Sequence, residues 1–215
     1  MTYLNIMNNV LRRLREEEVN NVTESTYSKM AGDFINDAKT IVEQAADWSA
    51  LRETITISTT ATDNTYSLTG TGDDVKVMSV LNDTQNCFMQ YQSKDWFNDS
   101  LYIAGAAEGA PLYYTYNGLD ANGDTQVLVG PVPDGVYSLR FDVVKRQGDL
   151  TSNSDKLLIP NQPVIHLALA LLARERGETG GTSTAEYFAI ADKYLSDAIA
   201  IDAAKHPEEM IFRTI

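Results

Sequence analysis

Asp120, Asn122 and Asp124 stand at alternate positions in "LDANGDTQVLVG", the spacing at which oxygen ligands open a calcium loop. Such a loop needs a glycine at its sixth position and a bidentate glutamate at its twelfth. Those positions hold Thr125 and Pro131, and residues 125–129 read as a strand, which cannot wrap an ion. Asn117-Gly118 and Asn122-Gly123 are turn formers, so a turn between strands is the expected role. Other reactive side chains are sparse. His166, His206 and the single Cys87 cannot build a metal cluster at these spacings. His166 falls on an apolar helical stretch, as a core or interface histidine would; His206 follows Lys205 at a helix end, facing the dipole or solvent. Cys87 reads as a small buried hydrophobe, and one cysteine excludes an intramolecular disulfide. Nucleophile signatures of the Gly-x-Ser-x-Gly or Cys–His type are missing. "SLTGTGDD" has two glycines but no Lys-Ser/Thr to cradle a phosphate. Carboxylate neighbours such as Asp73-Asp74 and Glu208-Glu209 are common in so acidic a chain, and a hydrolytic pair would have to meet in space. No catalytic residue, metal ligand or cofactor is assigned, and the expectation is a protein that is not an enzyme.

Two features point to contact rather than chemistry. Tyr113, Tyr114 and Tyr116 share the segment "PLYYTYNG"; adjacent tyrosines face opposite sides of a strand, and tyrosine suits interfaces. The end of the chain, "HPEEMIFRTI", places Met210, Ile211 and Phe212 after a helix-breaking Pro207. A free terminus is ordinarily polar and frayed. These apolar residues therefore either fold back on their own helices or enter a groove of another subunit.

The formal net charge is −13, which repels phosphate backbones and anionic membranes alike. Residues 53–155 hold 14 acidic and 5 basic side chains, against 16 and 12 in the two flanks together. "MTYLNIMNNVLRRLREEE" lacks the basic start and continuous apolar run of a signal peptide. The longest apolar run, 164–173, is broken by His166 and too short to span a bilayer, so no membrane partner is expected.

The elements that must position these residues follow from periodicity. Tyr3, Leu4, Met7, Val10, Leu11 and Leu14 predict a helix over 2–15. A second, capped by Thr26, is expected over 27–50, with Met30, Phe34, Ile35, Ala38, Val42 and Trp48 on its stripe and a length of roughly 35 Å. At Arg52 the period switches to two. Strands are expected in "RETITIST", "NTYSLTG", "VKVMSVLN", "CFMQYQ", "PLYYTYNG", "TQVLVGP" and "GVYSLRFDVVKRQ", with a helical turn at "KDWFND". In the last strand Tyr137, Leu139, Phe141 and Val143 point one way. Residues 147–156 read as a polar exit loop. Asn161 and Pro163 open a helix that is apolar on nearly every side, the signature of a central position. Ser183 and Glu186 form a capping-box pattern before a final helix carrying Tyr187, Ile190, Ala191, Tyr194, Leu195, Ala198 and Ile201. The expected fold is α+β. Residues 1–52 and 157–204 form a discontinuous four-helix bundle, 53–156 an inserted antiparallel β-sandwich or barrel, and 205–215 a C-terminal tail that either folds back or docks.

With these segments in this order, the chain resembles the head-to-tail adaptors (connectors) of tailed bacteriophages, including the tail tubular protein A group. The resemblance is carried by "LNIMNNVLRRLREEEVNNV", by "FINDAKTIVEQAADWSALRETITIST", by "VLVGPVPDGVYSLRFDVVKR" with its Pro131, Pro133 and Asp134 turn, and by "LIPNQPVIHLALALLARERGE" followed by "AEYFAIADKYLSDAIAID". It implies a structural protein of the virion neck, assembled in the host cytoplasm. It also implies a homo-oligomeric ring, a dodecamer, beneath the portal protein that joins it to a tail or nozzle protein and lets DNA pass without specific binding. Portal docking would then fall to Met210, Ile211, Phe212, Arg213 and Ile215, and tail-side contact to Tyr113, Tyr114 and Tyr116. Two other readings of the residues stand beside this one: a β-sandwich binding module for carbohydrate or protein, and a carboxylate-pair hydrolase.

Overall fold

The structure is a computed structural model that describes residues 1–103, 105, 107–177 and 182–206. It is a mixed α+β chain whose contacts divide it into two compact units, Met1–Leu51 with the chain from Gln147 onward, and Arg52–Arg146.

In the first unit, α1 (Tyr3–Arg13) starts at Thr2, whose hydroxyl accepts the Asn5 N–H. It buries Tyr3, Ile6, Met7, Val10 and Leu11, while Arg12 and Arg13 complement its C-terminal dipole. α2 (Thr26–Gln44) is capped by Ser25 rather than Thr26: Ser25 and Ser28 exchange side-chain-to-backbone hydrogen bonds at 3.0 Å. It also ends six residues earlier than periodicity suggests. The Trp48 indole N–H turns back to the Val42 carbonyl at 2.8 Å, satisfying a helix-end acceptor and folding the chain into a short 3-10 turn, Ser49–Leu51. α1 and α2 approach so closely at Gly32 that a Cβ there would collide with the Tyr3 hydroxyl. α4 (Asn161–Glu175) packs against α1, α2 and the last helix, α5 (Thr182–Ala203). Its residues Val164, Ile165, Ala168, Leu169, Ala170, Leu172 and Ala173 are buried, as an all-round apolar helix requires. Asn161 does not cap it by its side chain, and Ser183 lies inside the first turn of α5 rather than before it.

Residues 147–159 are more than an exit loop. Leu150, Leu157 and Ile159 are buried. Asn36 exchanges hydrogen bonds with the Leu150 backbone at 3.0 and 3.2 Å, Asn153 Oδ1 accepts the Val22 N–H at 3.0 Å, and the Tyr3 N–H reaches the Asp155 carbonyl at 2.8 Å. This strap is thereby fastened to both N-terminal helices.

The second unit has two four-stranded sheets. One runs β1-β8-β3-β4, from β1 (Arg52–Ser58), β8 (Ser138–Lys145), β3 (Val75–Asn82) and β4 (Cys87–Phe88). The other runs β2-β7-β6-β5, from β2 (Thr65–Ser67), β7 (Thr125–Gly130), β6 (Tyr113–Leu119) and β5 (Gln90–Tyr91). Among the described residues no closed barrel forms, and the pairing is not wholly antiparallel, because β5 runs parallel to β6. The segment "CFMQYQ", expected as one strand, splits at buried Met89: its first part pairs with β3 and its second with β6. Leu68, Val80, Met89, Tyr114, Val127, Val129, Leu139, Phe141 and Val143 from both sheets make one core. The inward alternation of Leu139, Phe141 and Val143 on β8 matches the sequence pattern. A second cluster of Phe97, Leu101 and Leu128 forms around α3 (Lys94–Phe97), where a helical turn was expected.

Candidate partner-binding surfaces

The acidic loop after β6 is a turn, built by its own carboxylates. Asp120 Oδ1 accepts the N–H groups of Asn122 (2.8 Å) and Asp124 (2.9 Å). The Asp124 carboxylate accepts the N–H groups of Gly70 and Gly72, each at 2.9 Å, and so fastens the loop after β2 to this hairpin. These bonds stabilise the ionised forms. Asp120 is held below the usual carboxylate range chiefly by the Asp124 N–H, and Asp124 chiefly by the Gly70 N–H. Among the described residues no group of three or more His, Cys, Asp or Glu side chains is arranged to hold a metal ion.

The other reactive side chains also have structural surroundings. His166 is half-buried, stacked on Tyr194 at 4.4 Å, with Arg13 Nη1 2.9 Å from its Nε2. Burial first, then the Arg13 charge, lowers its pKa below the ordinary histidine value. It joins α1, α4 and α5, an inter-helix position of the kind expected. His206 follows α5, its N–H bonded to the Ala203 carbonyl. Cys87 is half-exposed rather than buried, because the two-residue strand β4 lies at a sheet edge. Asp74 pairs with Arg146.

The three tyrosines of β6 are distributed over different environments. Tyr114 is buried and meets Phe141 edge-on at 6.2 Å. Tyr113 lies on the opposite face, 4.7 Å from Trp96. Tyr116 is exposed, lies 6.2 Å from exposed Tyr91, and its hydroxyl accepts the Val77 N–H at 3.1 Å, beside an irregularity in the β3–β8 register. The hydroxyl thus covers part of a strand edge that would otherwise be open.

The feature that sequence reasoning missed is on α5. Ala191 and Asp202 face inward, but Ile190, Tyr194 and Ile201 are exposed, Ile201 at 67%. Spacings of four and seven residues put these three on one side of the helix. Together with the start of α4, that side forms an open groove of about 230 Å³, lined by Pro160, Asn161, Gln162, Pro163, Tyr194, Asp197, Ala198, Ile201, Asp202 and Lys205. One wall is rigidly fixed. Asp202 accepts the Ser49 hydroxyl (2.6 Å), the Ser49 N–H (2.8 Å) and Lys205 Nζ (2.8 Å). Burial opposes ionisation of Asp202, but the hydrogen bonds from Lys205 and Ser49 outweigh it and hold the carboxyl below its usual range. The signal lay in the width of the apolar stripe from Tyr187 to Ile201, which is broader than one packing face can cover. Met210, Ile211, Phe212, Arg213 and Ile215 lie outside the described residues.

Among the described residues no helix is long and apolar enough to cross a membrane. A family model described as SU10 adaptor protein matches residues 1–209. No curated protein matches the chain.

Proposed function

The chain belongs to the SU10 adaptor protein family, a phage structural adaptor family, and on that premise we propose that it is the ring-forming subunit of a head-to-tail connector. In this reading α1, α2, α4 and α5 act as a four-helix bundle, and about twelve copies close a ring below the portal protein. The family match over nearly the full length carries the reading, and the uncovered apolar side of α5 supports it: Ile190, Tyr194 and Ile201 are the surface a partner would cover. Tyr116 with Tyr91 offers the β unit an exposed aromatic contact for a tail or nozzle protein. Residues 205–215 engage the portal, with Met210, Ile211, Phe212 and Ile215 as apolar anchors and Arg213 as their polar neighbour. The ring passes DNA without gripping it. A net charge of −13 suits that task, because a basic lumen would hold phosphates by counterion release.

Deleting residues 206–215 is expected to leave the fold intact by circular dichroism and to abolish co-sedimentation with the portal protein. Undiminished portal binding by the shortened chain would refute the docking assignment.

A further inference from the structure

The groove between the start of α4 and the end of α5 has an apolar floor of Pro160, Pro163, Ala198 and Ile201, and the chain passes its rim at Lys205. Nine further residues follow His206, with Met210, Ile211 and Phe212 at their middle. We propose that in the unassembled subunit this groove is filled by the chain's own C-terminal segment, with Met210–Phe212 doubling back over Ile201 and Ala198.

Reach, size and charge support this occupant. Six extended residues carry Phe212 up to roughly 20 Å from His206. On α5, Ile201 is only about 7.5 Å back along the axis and Tyr194 about 18 Å. Pro207 supplies the reversal, since it cannot continue the helix. At about 230 Å³ the space is smaller than the roughly 300–1,000 Å³ of small-molecule sites, and it suits a few apolar side chains. With Phe212 over Ile201, Arg213 has the groove's Asp197 as its nearest opposite charge, while Lys205 is already held by Asp202. A tether of a few residues gives the segment a local concentration in the millimolar range, which favours the chain's own tail over a second copy's. The same apolar residues cannot serve two sites at once. Resting on the portal-docking reading, the groove therefore holds the tail until the portal competes for it.

Hydrogen exchange followed by mass spectrometry on the full-length chain tests the occupancy without any portal. At a dilution where only single copies exist, amides of residues 209–213 are expected to exchange at least tenfold more slowly than in an unstructured peptide. Ile201→Asp should abolish that protection and leave peptides from α1 and α2 unchanged. Phe212→Asp, which alters only the tail, should do the same and also speed exchange around Ile201. Tail amides exchanging at unstructured rates in the unaltered chain would overturn the proposal, as would protection that appears only at concentrations where copies associate. Failure of the 206–215 deletion to affect portal binding would instead remove the docking reading and leave the groove's occupant standing.

Discussion

The two units dispose of their polar and apolar groups in opposite ways. In the β unit the telling carboxylates, Asp120 and Asp124, stay near the surface and accept backbone N–H groups of turns. Its main core cluster is apolar apart from Tyr114, its buried polar side chains, Asn82, Thr59 and Thr115 among them, carry no charge, and its exposed large side chains include Met78, Phe88 and Val136 as well as the paired Tyr91 and Tyr116. The helical unit does the reverse. Lys39 is 1% exposed, 3.5 Å from the Glu43 carboxylate and 2.6 Å from the Gln147 carbonyl, so a buried charge fastens the returning chain to α2. Asp202 does the same for Ser49 across 153 positions of sequence. Yet among the described residues of this internally well-tied unit Ile190, Tyr194 and Ile201, all on one side of α5, are exposed. The β unit thus carries its exposed aromatic pair, Tyr91 and Tyr116, on a core free of charge, whereas the helical unit ties its frame with buried charges and exposes Ile190, Tyr194 and Ile201 on α5.

One tryptophan in each unit makes the contrast measurable: Trp48 lies in the helical unit and Trp96 in the β unit, so single-tryptophan variants report each separately. The largest effect is expected for Phe141→Ala. It should cost the β unit about 4 kcal/mol through loss of burial and a residual cavity, read as a lower urea midpoint in Trp96 emission with the Trp48 transition held. Equal shifts in both signals would dissolve the distinction between the units. Next, Lys39→Met removes a buried partner of Glu43 and of the strap, and should lower the Trp48 midpoint by about 3 kcal/mol; an unchanged midpoint would mean that the buried charge does not tie the frame. Gly32→Ala should destabilise the helical unit by about 2 kcal/mol by overpacking against the Tyr3 hydroxyl. Tyr3→Phe, which removes the colliding atom, should restore most of the loss in the double variant. The smallest, Asp202→Ala, removes the acceptor for Ser49 and should cost about 1 kcal/mol. Its pH dependence has a definite sign. Because the folded-state pKa lies below the ordinary carboxyl value of 3.8, this contribution is complete above that value and fades as pH falls through the lower, folded one. The difference between Asp202→Ala and the unaltered chain should therefore shrink in strong acid.

Local pattern made some of this legible. The alternation of Leu139, Phe141 and Val143 placed β8, the all-round apolarity of 164–173 placed α4 among other helices, and the failed calcium spacing marked the Asp120 turn. What could not be read depends on contacts between distant residues. Periodicity carries α2 through Trp48, but the indole bond to the Val42 carbonyl ends it at Gln44. "CFMQYQ" has one strand's composition, yet its halves find partners in different sheets. Cys87 has a core residue's chemistry and an edge strand's position. On α5 an apolar stripe signals burial without saying whether the partner is in the same chain. Ala191 is covered within it, while Ile201 is not.

The mass of the particle in solution, measured by light scattering with the portal protein absent and then present, tests the central claim most directly. On the ring-subunit reading proposed above, the 23.8 kDa chain is expected to form a closed multi-copy particle, of about twelve copies, at the latest when the portal is added. A species that stays at 23.8 kDa under both conditions would contradict it.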